Sequence, residues 1–466
     1  MRVGIPRCAQ DFRNKNLDDT IVAIATPPGR GGIGVVRIAG TGALKIARSM
    51  LRLKHELAPG RAIFGEIVET ATGERIDEAV VTFFAKPHSY TADDVVEISA
   101  HGSPVVLRHI VELATARGAR LAEPGEFTMR AFLNGRIDLT QAEAVRDLIE
   151  SQTLYQAKVA AQQLEGALSK RLQPIKKKLV DLVAVMEAGI DFAEDDVAVL
   201  PGREILSRIE EVGAQLEQLR ASFAYGKIVH EGLTLAIVGR PNVGKSSLFN
   251  RLVERERAIV TATPGTTRDL VTETVALGGF PIRLVDTAGI RHATEEAESI
   301  GIRKSREALS EADLVLVVLD STRGISAEDQ ELLDAACIRR AIAVANKSDL
   351  APDAALAIDG LTIFKTSAIT GSGIADLRAA ILEQVSGAAA RGEHETGFLT
   401  NVRHQRLVEE SLASLQAAAH AVKNNIPHEM IMLDLYGALR PLDAITGETT
   451  TDDILNLIFS SFCIGK

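Results

Sequence analysis

Residues Leu233–Ser247 read LTLAIVGRPNVGKSS, and the fold of the surrounding segment depends on this stretch. An apolar run rich in strand formers ends at Gly239, where the complete pattern G-x-x-x-x-G-K-S begins. Glycine at Gly239 and Gly244 allows backbone N–H groups to turn inward around phosphate oxygens. Lys245 is then expected to reach the β and γ phosphates, and the Ser246 hydroxyl to ligate magnesium. The stretch predicts a strand, a phosphate loop and the start of a helix.

A second motif follows the apolar run from Phe280 to Val285, which leads into Asp286-Thr287-Ala288-Gly289. A carboxylate at a strand end can hold a magnesium-bound water, and a glycine N–H can meet the γ phosphate. In Ras-like GTPases a glutamine follows this motif and orients the attacking water. Ile290 stands at that place here and cannot do so. We therefore expect another residue to position the water and another cation to balance the transition-state charge.

The next motifs concern the base. A strand-like run from Leu314 to Leu319 precedes another from Ala341 to Ala345, which ends in Asn346-Lys347-Ser348-Asp349. The Asp349 carboxylate can accept hydrogen bonds from N1–H and the N2 amino group of guanine, whereas adenine offers no such donor pair. Ser367-Ala368, after the strand-like LTIFKT, is placed to support the guanine. The order of these motifs predicts an α/β domain that binds GTP.

A polar loop before Asp286 is expected to close over the γ phosphate, with Thr267 as a second hydroxyl ligand of magnesium beside Ser246. A flexible surface turn is the alternative interpretation of this loop. The residues predicted to contact GTP are Asn242, Val243, Gly244, Lys245, Ser246, Ser247, Thr261, Ala262, Thr263, Pro264, Gly265, Thr266, Thr267, Asp286, Thr287, Ala288, Gly289, Asn346, Lys347, Ser348, Asp349, Ser367 and Ala368.

Composition narrows the class of protein. At 466 residues the chain is long enough for two to four domains, and with 4% aromatic residues and no tryptophan its core should be aliphatic. No apolar run approaches the roughly 18 residues that span a membrane, and the amino-terminal residues lack the apolar centre of a signal peptide. Cys8, Cys337 and Cys463 lie far apart, without metal or disulfide spacing. We expect a soluble, cytoplasmic protein.

Residues 1–19 mix charges without periodicity and are expected to form a loose extension. Residues 20–137 alternate strand-like runs with helical stretches around Ala43 to Leu53 and Pro104 to Arg117, which predicts an α+β domain. Within it, TPPGRGGIG (Thr26 to Gly34) lacks the G-x-G-x-x-G spacing. We expect it to be a turn that packs closely on a ligand or a subunit.

Helical periodicity dominates residues 138–230 and 393–466, on either side of a GTPase segment at 231–392. Neither helical part is expected to form a stable domain by itself. The two ends of a GTPase domain can lie close enough together for it to be inserted into another domain. The pattern predicts one all-α domain, split in sequence by the inserted α/β domain. The acidic run from Asp191 to Asp196 favours a solvated loop or helix end over a metal site. The clearest helical stripe consists of Leu179, Leu182, Val183, Met186 and Ile190.

Two sets of residues carry a resemblance to known families. Asn242, the stretch TPGTTRD (Thr263 to Asp269) and the missing glutamine are similar to the potassium-activated GTPases of the TrmE–Era group. SYTADDVVEISAHG (Ser89 to Gly102), PGEFTMRAFLNGRIDLTQAEAVRDLI (Pro124 to Ile149) and the ending ITGETTTDDILNLIFSSFCIGK resemble the MnmE (TrmE) family of tRNA-modification GTPases. With the GTPase motifs, the resemblance covers Thr20 to Lys466.

The resemblance implies an N-terminal domain that binds a tetrahydrofolate derivative and forms a homodimer. It also implies a flavoprotein partner, MnmG (GidA), in a heterotetramer that adds a carboxymethylaminomethyl or aminomethyl group at C5 of the wobble uridine, position 34, of certain tRNAs. Methylene-tetrahydrofolate would be the one-carbon donor. By position, folate contacts fall on Arg37, Glu97, Arg136 and Lys466. Arg136 stands where many family members have lysine, which keeps the charge but widens the head group.

For GTP hydrolysis, the resemblance implies that two GTPase domains dimerise. It implies a potassium site formed by the Asn242 side chain, the Thr266 hydroxyl and the backbone carbonyls of Thr261 and Thr263. The catalytic residues would then be Asn242 and Glu298. Without the resemblance, Glu298 would be one of several solvated carboxylates on an exposed helix.

Cys463, near the C-terminus, could be a nucleophile for the pyrimidine ring, and a packed or merely exposed thiol is the alternative. The formal net charge of −10 argues against a broad basic surface, so contact with tRNA should be local or supplied by the partner. Two other functions stay open: a GTPase switch of the ribosome-assembly type, and a folate-domain dimer with a signalling role. An assembly factor would generally carry a basic RNA-binding module, and none is visible in this sequence.

Overall fold

The structure of the chain, a computed structural model, describes residues 19–69, 71–191, 200–253, 271–286, 312–337, 340–353, 358, 361–386, 396–448, 455, 458–459, 462–463 and 465. These residues form two compact units. The first contains those within Met1–Arg146, Gln163–Gly213 and Glu409–Lys466, and the second those within Asp147–Gln162 and Ala214–Val408. Across the described residues, no helix is both long and apolar enough to cross a membrane.

A mainly antiparallel sheet organises the first unit, with the strand order β3-β4-β5-β6-β2-β1-β7. Only the pair β1 and β7 is parallel among its neighbours. Helices α1 (Ala43–Ser49) and α2 (Pro104–Thr115) share a largely aliphatic core with these strands. The strands are β1 (Thr20–Ile24), β2 (Gly31–Ala39), β3 (Leu51–Leu53), β4 (Ala62–Val68), β5 (Arg75–Phe84), β6 (Val95–Gly102) and β7 (Ala119–Leu121).

The helix predicted from Ala43 to Leu53 is wrong in its last four residues. Helix α1 ends at Ser49, whose hydroxyl donates to the carbonyl of Ile46, and Leu51 to Leu53 form strand β3 beside β4. Pairing with β4 buries Leu51 and gives this segment the hydrogen bonds that a longer helix would have supplied. Because these bonds come from a distant strand, local periodicity does not reveal them.

The turn expected from Thr26 to Gly34 is wrong in its last four residues, because Gly31 to Gly34 belong to strand β2 and pair with a neighbouring strand. A Cβ atom on Gly34 would lie 2.3 Å from Cδ1 of Leu107 in α2. The helix therefore approaches the strand closely at this point, as a glycine in a strand often indicates. The neighbour is a helix of the same chain.

The helices that follow the first sheet are α3 (Glu126–Leu133), α4 (Leu139–Glu150), α5 (Leu154–Leu164), α6 (Ala167–Asp191), α7 (Gly202–Ala221) and α8 (Phe223–Glu231). Along α6, Leu179, Leu182 and Met186 are buried, as the 3.6-residue apolar period predicts.

A second sheet organises the second unit, in the order β13-β12-β11-β8-β10-β9. All neighbours pair parallel except β9 and β10, which form an antiparallel hairpin. Its strands are β8 (Leu233–Val238), β9 (Val271–Leu277), β10 (Phe280–Asp286), β11 (Leu314–Asp320), β12 (Ala341–Asn346) and β13 (Ile363–Lys365). Helices α9 (Lys245–Val253), α10 (Ala327–Cys337) and α11 (Ile374–Ser386) accompany them. β11 is buried at every position, as a central parallel strand requires.

Two long helices, α12 (Val402–Lys423) and α13 (His428–Thr446), follow in the chain. Within the first unit α13 packs on α6, and Lys176 of α6 bonds to Asp443 of α13 and to Glu448 just beyond it. Helices from either side of the inserted segment thus contact each other. The predicted multidomain fold class, with an α+β domain, a helical domain and an inserted α/β domain, is confirmed.

A buried ionic network joins the start of the first unit to α3. Arg130 is 1% exposed and donates to the carboxylates of Glu126 and Asp19, while Arg120 donates to the same two carboxylates. The backbone N–H of Glu123 also donates a hydrogen bond to the Glu126 carboxylate. Burial alone would raise the pKa of Glu126 and of Asp19, but these hydrogen bonds outweigh it and lower both.

A carboxyl group whose pKa is lower in the folded state stabilises the fold above its unfolded pKa, and that stabilisation disappears as the pH falls. We therefore expect the free energy of unfolding of the first unit to decrease as the pH falls below about 4.5. Glu126→Gln should lose about 3 kcal/mol at neutral pH because it leaves the buried Arg130 guanidinium with one carboxylate fewer. Its acid dependence should also be weaker than that of the parent.

The measurement is urea unfolding followed by circular dichroism at neutral and acid pH. Glu66→Gln is the matched control, because Glu66 forms an ion pair with Arg52 at the surface of the same unit. Unfolding of Glu126→Gln that matches the parent at both pH values would contradict the assignment.

Candidate functional site

The predicted nucleotide motifs meet at one edge of the second sheet. In parallel register, Asp286 pairs with Ile237, Val317 with Val238, and Asp320 with Asn346. The strands β8, β10, β11 and β12 therefore end side by side. Ligands of open α/β sheets bind at this carboxyl edge.

The phosphate loop between β8 and α9 requires both of its glycines. Gly239 has φ +152°, and a Cβ atom there would lie 2.4 Å from the carbonyl oxygen of Val318. Gly244 has φ +96°, and its Cβ would lie 2.3 Å from Nδ2 of Asn346. The buried Lys245 ammonium lies over the loop and donates to the carbonyls of Gly239 and Arg240 at 2.7 and 2.9 Å.

Asn242 has a left-handed backbone with φ +65°, a conformation that non-glycine residues rarely adopt, although asparagine tolerates it best. The residue is exposed on the phosphate loop. Backbone strain of this kind is concentrated at ligand sites, where surrounding structure maintains it. The structure thus presents the Asn242 amide on the loop that is expected to contact phosphate.

Asn346, one of the residues predicted to contact GTP, connects two loops of the site through its side-chain amide. Its Nδ2 donates to the carbonyl of Val243 at 2.9 Å, and its Oδ1 accepts the N–H of Ala368 at 3.1 Å. The side chain is 2% exposed. Asn346 therefore joins the phosphate loop to the Ser367-Ala368 loop and acts as a positioning residue.

Lys347 leads to a residue that sequence reasoning missed. Its ammonium lies 2.7 Å from Oδ2 of Asp320, and Oδ1 of Asp320 accepts the backbone N–H and the hydroxyl of Thr322. Burial would raise the pKa of Asp320, but these partners, Lys347 first, lower it to about 2. The signal in the sequence was a single aspartate at the end of the apolar run LVLVVLD.

A second ion pair that sequence reasoning missed anchors the phosphate loop to helix α10. Arg240 donates to both carboxylate oxygens of Asp329 in α10, at 2.8 and 2.7 Å, and Asp329 is 1% exposed. Asp329 also accepts the N–H and the hydroxyl of Ser326, an N-terminal cap of α10. The S-x-x-D capping pattern was the only local sign of this carboxylate.

The two loops that are expected to surround the guanine base are held by hydrogen bonds to their backbone groups. The Ser348 N–H donates to the carbonyl of Thr366, and Arg251 of α9 donates to the carbonyl of Ala368 at 3.0 Å. Ser367 is buried, whereas Asp349 is exposed at the same edge. The carboxylate expected to recognise guanine thus lies at the surface between two braced loops.

The remaining predicted residues of this site lie outside the described residues, and of Asp286 only the backbone is described. The positions concerned are Thr261, Ala262, Thr263, Pro264, Gly265, Thr266, Thr267, Thr287, Ala288, Gly289 and Glu298. Ser246 is an exposed residue in the first turn of α9, and its hydroxyl oxygen is a hard ligand of the kind Mg²⁺ accepts. The described residues therefore fit a magnesium ion held together with nucleotide phosphates.

In the first unit, three of the residues assigned to folate converge. Nε and one terminal nitrogen of Arg37 donate to Oε1 of Glu97, at 2.9 and 2.7 Å. The guanidinium groups of Arg37 and Arg136 both lie over the Tyr90 ring, 5.4 and 5.6 Å from its centroid. Arg136 also donates to the carbonyl of Ser89.

The C-terminal tail reaches the same place. Arg37 donates to the carbonyl of Gly465 at 3.2 Å, while the next residue, Lys466, lies outside the described residues. Cys463 is an exposed, free cysteine, and its carbonyl accepts the N–H of Gly125. Among the described residues, no group of three or more His, Cys, Asp or Glu side chains could hold a metal ion.

The glycine-rich loop between β8 and α9, the parallel sheet and the braced base loops define a P-loop GTPase. Family models place it further: one described as the MnmE helical domain matches residues 139–463, and one described as the GTP-binding protein TrmE N-terminus matches residues 20–136. The chain belongs to the MnmE family of tRNA modification GTPases.

Similar proteins support this assignment along the whole chain. A tRNA modification GTPase MnmE of Koribacter versatilis is 67% identical over 455 residues, which cover 97% of this chain and 100% of the relative. A protein of the same name from Aquifex aeolicus is 44% identical over 452 residues, with 97% and 100% covered.

Asp320 yields a prediction on nucleotide affinity. We expect Asp320→Ala to weaken GTP binding about tenfold, because Lys347 loses the carboxylate that holds it at the base loop. The turnover number at saturating GTP should stay near that of the parent, since the Asp320 side chain bonds to Lys347 of the base motif and to Thr322, not to the phosphate loop. Titration with a fluorescent GTP analogue and steady-state kinetics measure the two quantities.

Asp313→Ala is the matched control. Asp313 lies just before β11 at the opposite edge of the sheet, where its carboxylate accepts the N–H of Thr234. Equal loss of GTP affinity in both variants would mean that Asp320 acts only through the general stability of the sheet.

Proposed function

We propose that this chain is a potassium-activated GTPase that acts on tRNA in the cytoplasm together with the flavoprotein MnmG (GidA). The pair adds a carboxymethylaminomethyl or aminomethyl group at C5 of the wobble uridine, with a tetrahydrofolate derivative as one-carbon donor. The chain forms a homodimer and, with its partner, a heterotetramer, and contact with tRNA is made mainly through the partner.

The convergence of Arg37, Glu97 and Arg136 around Tyr90 carries the folate part of the proposal. Two guanidinium groups suit the glutamate tail and the carbonyl groups of a folate, and a carboxylate suits the N–H donors of its pterin. The carbonyl of Gly465 in the C-terminal tail accepts a hydrogen bond from the same arginine, and Lys466 is the next residue in the sequence.

Within the GTPase site, each residue has a distinct task. Lys245 and the loop N–H groups bind the β and γ phosphates, Asp349 selects guanine, and Glu298 orients the attacking water. Ser246 and Thr267 hold the magnesium ion, which balances charge on the phosphate oxygens when bound.

The potassium site uses neutral oxygen ligands. Asn242 contributes its side-chain carbonyl, Thr266 its hydroxyl, and Thr261 and Thr263 their backbone carbonyls. A bound potassium ion supplies the positive charge that an arginine finger gives in other GTPases. The strained Asn242 backbone supports this role because it presents the amide on the phosphate loop. Closure of the site follows when two GTPase domains meet.

We expect GTP turnover to be faster in potassium chloride than in sodium chloride at equal ionic strength. The difference should reach about 10³-fold if the ion replaces an arginine finger completely, since that is the lower end of an arginine's contribution. Asn242→Ala should lose most of this activation while GTP affinity changes little. Equal rates in the two salts for the parent would rule out potassium activation.

Wobble-uridine nucleosides test the modification function. In cells that lack this protein, tRNA hydrolysates should contain no aminomethyl or carboxymethylaminomethyl uridine, and the parent gene should restore both. Glu97→Gln should restore neither, and the purified variant should bind 5-formyl-tetrahydrofolate at least tenfold more weakly. Glu66→Gln, on the same sheet but in a surface ion pair, should behave as the parent. Unchanged nucleosides in the deletion strain would refute the proposed reaction.

A further inference from the structure

The hairpin formed by β9 and β10 connects the two segments to which the proposed function assigns GTP hydrolysis. In sequence, the segment before β9 contains Thr261 to Thr267, and the segment after β10 begins with Thr287 and contains Glu298. Each strand has 7 residues, so the hairpin extends about 20 Å from the nucleotide edge of the sheet to its own turn. We expect a displacement of the turn to be transmitted along both strands to the nucleotide edge.

The sheet supports this hairpin on one side. β9 is the edge strand of the described sheet and pairs with β10, which in turn pairs with β8 from Ile282 to Asp286. Phe280 and Pro281, next to the turn, have no partner in that register. The turn end of the hairpin therefore has no support from β8.

That support comes from helices outside the sheet. The turn residues Gly278 and Gly279 have φ +57° and +91°, and the carbonyl of Gly279 accepts the hydroxyl of Thr153 at 2.7 Å. A Cβ atom on Gly279 would lie 2.9 Å from Cβ of Tyr155 in α5. The turn thus packs against Thr153 and the first turn of α5.

Aromatic rings extend the contact to α8. The Phe280 ring lies 5.5 Å from Tyr155 and 5.8 Å from Tyr225, and Tyr225 lies 5.3 Å from Phe398, between ring centroids. The hydroxyl groups of the two tyrosines are 2.6 Å apart. Burial first, and then the bond to Tyr155, raise the pKa of Tyr225, so the Tyr225 phenol keeps its proton. One hydroxyl of the pair donates to the other.

We propose that Thr153, Tyr155 and Tyr225 form a clamp on the β9–β10 turn that positions the catalytic segments and couples the nucleotide state to helices α5 and α8. The three are positioning residues, because they act through the hairpin and lie at the opposite end of it from the phosphates. GTP binding is set at the other edge by Asn346, Lys347 and the phosphate loop. The clamp therefore affects hydrolysis more than affinity.

The test uses the full-length protein with single and paired tyrosine substitutions. Tyr155→Phe and Tyr225→Phe each remove one hydroxyl and keep the ring, and each should lower the turnover number about three- to tenfold, the range that one net hydrogen bond supports. GTP affinity should stay within about twofold of the parent. The double variant should be no slower than either single variant, because the two hydroxyls form one bond.

Tyr436→Phe is the matched control, since its hydroxyl donates to Glu187 in the first unit. Its turnover number should equal that of the parent. A clamp that served only the stability of the fold would leave the turnover number of Tyr225→Phe unchanged, and this result would overturn the proposal.

Hydrogen exchange supplies a readout that is independent of turnover. Amide exchange in α5 and α8 should differ between the GDP complex and the complex with a non-hydrolysable GTP analogue in the parent. In Tyr225→Phe this difference should disappear. Equal exchange of α5 and α8 in the two complexes of the parent would show that the clamp does not respond to the nucleotide.

Discussion

The nucleotide site depends on the buried amide of Asn346. One side chain bonds a carbonyl of the phosphate loop and an N–H of the base loop, and Gly244 approaches it too closely for any side chain to intervene. Each buried polar group that lost its partner would cost about 1–3 kcal/mol, so the two loops cannot separate easily. The distance between the phosphate end and the base end of the site is consequently fixed before a nucleotide arrives.

Around this amide, the side chains that anchor the nucleotide-binding loops are separate from the segments to which hydrolysis is assigned. Arg240 is anchored by Asp329 and Lys347 by Asp320, and both carboxylates belong to rigid elements of the sheet or of α10. The segments assigned to hydrolysis extend from the hairpin of β9 and β10. The clamp on the hairpin turn lies at the opposite edge of the sheet from Asp320, so affinity and rate can respond to different parts of the molecule.

The sequence predicted what is local. The phosphate loop, the strands that precede the nucleotide motifs and the apolar stripe on α6 were predicted from spacings of a few residues, and all three are present in the structure. What it missed joins distant residues: Lys347 to Asp320 are 27 positions apart, Tyr155 to Tyr225 are 70, and Arg240 to Asp329 are 89. No local pattern encodes such pairs. The residues assigned to folate came from the family resemblance, because no spacing of Arg37, Glu97 and Arg136 indicates a ligand. The end of helix α1 was predicted too late because its true boundary depends on the pairing of β3 with β4, which local periodicity does not show.

The hydrogen-bonded tyrosine pair also gives the protein a built-in optical signal. The chain has 4 tyrosines and no tryptophan, so its near-ultraviolet absorption and emission come chiefly from tyrosine, and Tyr155 and Tyr225 are half of that set. The emission of a phenol depends on whether its hydroxyl is donated to a neighbour, and no stronger chromophore of the protein masks it here. The state of the contact between α5 and α8 can therefore be followed in the unlabelled protein, and a single introduced tryptophan would report on its surroundings without background.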